Sequence, residues 1–93
     1  MSEDKTYNGW TNYETWDVKL WLDNEEGTYS DMRELAKSHS GDKYQMSKAV
    51  REYVENMMPD IEASMFSDLL LAALSDVNWY EIGEAYLEGF NEE

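Results

Sequence analysis

Apolar residues recur at helical spacing along most of this chain, in segments cut by short polar breaks. The pattern is densest between Trp10 and Asn24, which holds three of the four tryptophans, Trp10, Trp16 and Trp21. Here Tyr13, Trp16 and Leu20 fall at i, i+3 and i+7, while Val18, Trp21 and Leu22 fill a neighbouring face. That spacing predicts a first helix covered on more than one side. Thr11 and Glu14 read as its capping box, with hydroxyl and carboxylate each serving a free backbone N–H. The helix should end near Asn24, with Gly27 closing a polar turn. Aromatic rings bury about 150–250 Å² each, so this stretch is expected to organise the core.

A second, shorter helix is expected after Thr28, with Met32, Leu35 and Ala36 as its buried stripe. Asp31 and Glu34 lie near its front and Lys37 and His39 near its back, an order that matches the helix dipole. The Ser-His-Ser-Gly break over residues 38–41 leads to Asp42, the next N-cap. Met46, Ala49, Val50, Tyr53, Val54 and Met57 give the cleanest helical period. That helix must stop by Met58, because Pro59 disfavours helix in the residue before it. A fourth helix, capped by Asp60 or Ser64, has the greasiest stripe: Phe66, Leu69, Leu70, Ala73, Leu74 and Val77. It is expected as the central core element. Asn78 and Glu81 cap a last helix with Trp79, Ile82, Gly83, Tyr86 and Phe90 on one face, and Gly83 would let two backbones come close.

No repeat, low-complexity tract or alternating strand pattern interrupts this series. The expectation is an all-α fold, a compact single-domain bundle of about five short helices spanning residues 1–93, with 1–9 a loose lead-in. The loops are short, so neighbouring helices should pack roughly antiparallel. The longest apolar run, Leu69 to Leu74, has six residues, against roughly 20 needed to span a bilayer. The N-terminal MSEDKTYNG lacks the apolar core of a signal peptide. These features suit a soluble cytoplasmic protein.

Charge changes the picture more than any motif. Twenty-one acidic residues against seven basic ones give a net charge of −14. Nucleic-acid affinity needs cations that displace phosphate counterions, and anionic membranes repel such a chain. Neither direct nucleic acid nor membrane is therefore an expected partner; a basic protein is. The distribution is uneven as well. From Glu52 onward there are eleven acids and no Lys or Arg, whereas the first 51 residues hold ten acids with all seven bases. Glu81, Glu84 and Glu88 follow at three- and four-residue steps, where like charges repel.

Candidate chemistry is sparse. Cysteine is absent, which removes disulfides, cysteine-ligated zinc and thiol nucleophiles. His39 is the sole histidine and lies in a Ser-Gly loop. No phosphate loop, nucleophile elbow or HExxH string is present. Asp23 and Glu34 have the spacing of positions one and twelve of a calcium loop, but Thr28 occupies the place of the required glycine. The aromatic residues recur at helical spacing without interleaved cations, so core packing is preferred over base stacking. No enzyme, metal or cofactor is expected.

A charge of 14 equals that of about 24 Å of duplex DNA at one charge per about 1.7 Å. Successive carboxylates on a helix face lie about 5–6 Å apart, similar to the spacing of phosphates along a strand. The expected function is therefore an acidic inhibitor that mimics nucleic acid and blocks a basic DNA- or RNA-binding cleft. Its expected contact residues are Glu52, Glu55, Asp60, Glu62, Asp68, Asp76, Glu81, Glu84 and Glu88. The alternative is a small structural or regulatory interaction module that binds through an apolar face, with the charge serving solubility. The protein would act as a monomer or homodimer.

Two strings add a resemblance. NYETW over residues 12–16, running into LWLDN over 20–24, resembles the opening of a family of small proteins of unassigned function from phages, plasmids and mobile elements. SDLL over 67–70, with ALSDVNWYEI over 73–82, is similar to that family's second block. The resemblance implies a mobile-element context, in which small acidic helical proteins often act against host defences as anti-restriction or anti-CRISPR factors. It implies no catalytic residues.

Overall fold

The computed structural model describes residues 6–58 and 62–91. They form five helices: α1 (Tyr13–Asn24), α2 (Glu26–Ser38), α3 (Lys43–Met57), α4 (Met65–Ser75) and α5 (Trp79–Asn91). The protein is all-α, with no strand among the described residues beyond an isolated bridge between Tyr7 and Trp10. Residues 1–5 of the expected lead-in, Pro59 and Asp60 lie outside the described residues.

Local chemistry explains most helix ends. Asp42 caps α3 by accepting from Gln45 N, and Ser64 with Ser67 forms a reciprocal capping box on α4. Asn78 accepts from Glu81 N at the start of α5. The cap of α1 is Asn12 rather than Thr11, because the Asn12 carboxamide oxygen accepts from both Thr15 N and Thr15 Oγ1. Thr11 instead donates its backbone N–H to Glu81 of α5. The second helix also begins earlier than its spacing suggested. Only Glu25 separates α1 from α2, and Gly27 and Thr28 lie within the first turn of α2. Thr28 Oγ1 then donates to the Leu22 and Glu25 carbonyls, which fastens the corner.

Residues 6–9, expected as part of a loose lead-in, include a tight turn. Tyr7 and Trp10 exchange both backbone hydrogen bonds, and Asn8 (φ 49°) and Gly9 (φ 87°) take the left-handed conformation between them. Asn-Gly is the preferred pair for such a two-residue turn. The Tyr7 ring then packs against Tyr13 and Trp16, with centroids 5.1 and 4.8 Å away.

The core lies between α3 and α5, closed by α1 and α2. Met46 and Val50 of α3, Ile82, Tyr86 and Leu87 of α5, Met32 and Ala36 of α2, Leu22 and Val77 are its buried apolar members. The α3–α5 contact is the most extensive in the bundle, and Gly83 makes it possible. A Cβ at that position would stand 2.8 Å from Ser47 Oγ and 2.9 Å from Ser47 N. The two backbones therefore meet where each presents a small residue.

This packing corrects two expectations about what fills the centre. The aromatic stretch of α1 is not the core: Trp21 is 65% exposed and Tyr13 50%. Only Thr15 and Leu22 of α1 are buried, and Val18 packs beside them, so its inward stripe is i, i+3, i+7 from Thr15. Tyr7, Tyr13 and Trp16 instead satisfy one another at the surface. The second correction concerns α4, which buries no residue at all. Close approach of α3 to α5 fills the best apolar face of α3 and leaves α4 at the periphery.

Candidate functional site

Helix α4 is apolar on nearly every side, a composition that normally marks a buried helix. Yet Met65 is 65% exposed, Phe66 69%, Leu69 62% and Leu71 53%. Leu70, Ala73 and Leu74 are half-buried, and no α4 side chain is among those packed on the core. On the side toward α3, Leu71 and Leu74 border a cleft with Met58, Arg51 and Glu55. Away from it, Met65, Leu69 and Ala72 stack at i, i+4 and i+7 with Phe66 alongside, a continuous outward stripe. Met58 borders the same cleft, and Met57 (50% exposed) lines a pocket beside α1.

The surroundings of this stripe are acidic. Asp68 projects from α4 itself, Glu62 precedes it and Asp76 is its C-cap. No basic residue lies in the last turn of α1, α3, α4 or α5, so no side-chain cation there offsets the negative ends of those helix dipoles. Arg51 is the cation bordering the α3–α4 cleft, and Glu55 engages it at 3.0 Å.

Eight of the nine acids expected to make contact are distributed over α3, the segment before α4, α4 with its C-cap, and α5. Glu81 is occupied by the Thr11 N–H. Glu84 accepts from Lys43 Nζ at 2.7 Å, and this hydrogen bond, followed by the charge of Glu84, raises the Lys43 pKa. Glu55 is paired with Arg51. Glu52, Glu62, Asp68, Asp76 and Glu88 are exposed and form no side-chain hydrogen bond or ion pair among the described residues. Asp60 lies outside the described residues. Within the repulsive trio, Glu81 and Glu84 thus have partners from elsewhere in the chain, and Glu88 stays exposed.

Other polar groups have structural duties. Asp23 accepts from Lys19 and, at 2.6 Å, from the Tyr86 hydroxyl, while Lys19 Nζ lies 4.5 Å from the Tyr86 ring centroid. Burial, then the Asp23 hydrogen bond, pushes the Tyr86 phenol far up. Tyr53 donates to Asp31, which together with burial raises its pKa to about 12. His39 is the C-cap of α2, its Nδ1 2.9 Å from the Leu35 carbonyl. The Asp23–Glu34 span runs from the last turn of α1 into α2, so its acids are spread along helices. A pocket of about 280 Å³ lies between α1 and α3, lined mainly by Val18, Trp21, Leu22, Val54 and Met57.

The family of unknown function DUF7249 matches residues 3–92. The chain belongs to that family. Searches of curated proteins and of solved structures return no match. Among the described residues, no helix of this DUF7249 protein is long and apolar enough to cross a membrane.

Spacing alone did not reveal the outward stripe of α4, since a core helix and a docking helix share the same period. One signal did point to it. Met65, Leu69 and Ala72 form a second stripe opposite Leu70 and Leu74, and a helix at the edge of a small bundle needs only one.

Proposed function

We propose that this protein is a non-enzymatic interaction module that docks on a partner protein through the outward face of α4. The observation that carries this reading is an apolar helix with no buried residue. Exposed apolar patches of this kind mark interaction sites on soluble monomers. The acids around the face keep it in solution and select against acidic partners. The test is a photo-crosslinking residue placed at Leu69, with Tyr44 (64% exposed) as a control site of similar accessibility. In cells that produce the protein, position 69 should yield a discrete crosslinked product that position 44 does not. Equal, diffuse crosslinking from both positions would count against the reading.

A second reading is inhibition of a host defence nuclease by nucleic-acid mimicry in the cytoplasm, of the anti-CRISPR or anti-restriction kind. It is favoured by the five exposed acids without a partner, Glu52, Glu62, Asp68, Asp76 and Glu88. Its test is charge removal at Glu52, Glu62 and Glu88, which spares the structural duties of Glu81 and Glu84. Mimicry predicts that this triple Gln variant loses binding to a basic nucleic-acid-binding protein, with wild-type affinity falling steeply as salt rises. Unchanged affinity rejects it.

A further inference from the structure

We infer that the occupant of the α4 face is an amphipathic helix with Lys or Arg flanking its apolar stripe. The inference rests on the docking role of α4 and adds the chemistry of what docks. Three features select this partner. The outward stripe Met65–Leu69–Ala72, with Phe66 beside it, has the i, i+4, i+7 spacing that matches a second helix laid alongside. Methionine and phenylalanine dominate its front end, and Met57 and Met58 lie at the end of α3. Unbranched thioether side chains adapt to an incoming apolar ridge better than branched ones.

Charge then sets the flanks. Glu62 precedes α4, Asp68 lies within it and Asp76 is its C-cap, and α4 contributes no cation. The C-terminal end of α4 has no basic side chain in its last turn and carries the Asp76 carboxylate, which is a place for a cation. A partner helix carrying Lys or Arg beside its apolar ridge meets Asp68 along α4 and Asp76 at its C-terminal end.

A second copy of this chain fits worse. It would bring another −14 against the same face, with Asp68 repeated across the interface.

The probe is a designed helical peptide of about 18 residues, long enough to hold a helix, with Leu at i, i+4, i+7 repeats and Lys on the flanks. Two controls share its length: one with Glu for every Lys, one with Ser for every Leu. Binding to the full-length protein is followed by fluorescence anisotropy of the labelled peptide. The Lys-flanked Leu peptide should bind at least tenfold more tightly than either control. Affinity should fall at least tenfold in Leu69→Asp, whose helical circular dichroism is checked to match wild type, and should weaken as salt rises. Equal binding of the Ser or Glu control overturns the inference, as does unchanged binding by Leu69→Asp. So does sedimentation showing a wild-type dimer that Leu69→Asp converts to monomer, which makes the occupant a second copy. Loss of peptide binding with the position-69 crosslink intact rejects the basic helix and keeps the docking surface; loss of both rejects the surface itself.

Discussion

Replacing Gly83 with Ala tests the packing that pushes α4 to the outside. The new methyl would lie 2.8 Å from Ser47 Oγ, 2.9 Å from Ser47 N and 3.0 Å from Ser47 Cα. Carbon atoms in good contact are about 3.5–4.0 Å apart, and two of these neighbours are backbone, which cannot rotate away. The α3 and α5 helices must therefore part by roughly 0.5–1 Å, a gap that forfeits about a quarter to a half of the contact energy across it. Met46, Val50, Ile82 and Leu87 are buried in this core, and overpacking of this kind costs about 1–3 kcal/mol. Alanine returns about 0.5–1 kcal/mol through its helix preference. The net loss is about 1–2 kcal/mol, which lowers Tm by about 5–15 °C in a domain this size. Gly89 supplies the internal control: it lies in the same helix, and a Cβ there meets nothing within 4 Å. Gly89→Ala should gain up to about 1 kcal/mol. Urea denaturation followed by far-ultraviolet circular dichroism measures both. A Gly83→Ala variant as stable as Gly89→Ala would refute the close approach of α3 and α5.

Three further outcomes follow from named contacts. Thr15 is fully buried and its Oγ1 accepts from Asn78 N, so Thr15→Val leaves that N–H unpartnered and should cost about 1–3 kcal/mol in thermal melts; Thr15→Ser should recover most of it. Tyr53 and Tyr86 both have pKa values raised on folding, so their contribution is full below the ordinary value of 10.0 and is lost as pH rises, through about 12 for Tyr53. Alkaline titration of phenolate absorbance, run beside stability measurements, should show Tyr86 ionising only as the domain unfolds; ionisation of both phenols near 10 in the folded protein contradicts this. Leu69→Asp should shift stability by less than about 0.5 kcal/mol, whereas Val50→Ala, at 0% exposure, should cost more than about 1 kcal/mol; similar losses in the two urea transitions would show that α4 belongs to the core.

The helices themselves were legible because capping and spacing are local. Asp42, Ser64 and Asn78 act within three residues of themselves, and Met32, Ala36, Met46 and Val50 lie on the inward faces that their spacing predicts. The close approach at Gly83 was legible for a similar reason, since a glycine on an apolar helix face leaves room for a neighbour. What could not be read was which apolar stripe faces which. Trp21 and Phe66 have the residue types and the period of core positions, but placement depends on the competition among five helices for one interior. Ser47 and Gly83 let α3 and α5 approach closely, and that contact takes up the interior. The acids illustrate the same limit. Glu81, Glu84 and Glu88 repel as a sequence pattern, but Thr11 and Lys43, 70 and 41 positions away, engage Glu81 and Glu84 in the fold. Thr11 also shows how a neighbour can take a role: Asn12 holds the cap, and the threonine beside it bridges to α5.

The central claim, that α4 presents an open apolar face, is tested most directly by methionine oxidation mapped residue by residue. Met32 and Met46 are 0% exposed, whereas Met57 is 50%, Met58 37% and Met65 65% exposed. Dilute peroxide acting on the monomer should oxidise Met57, Met58 and Met65 quickly and leave Met32 and Met46 protected. Adding the Lys-flanked helical peptide should slow Met65 selectively. Protection of Met65 equal to that of Met32 and Met46 in the free monomer would place α4 in the core and contradict the account.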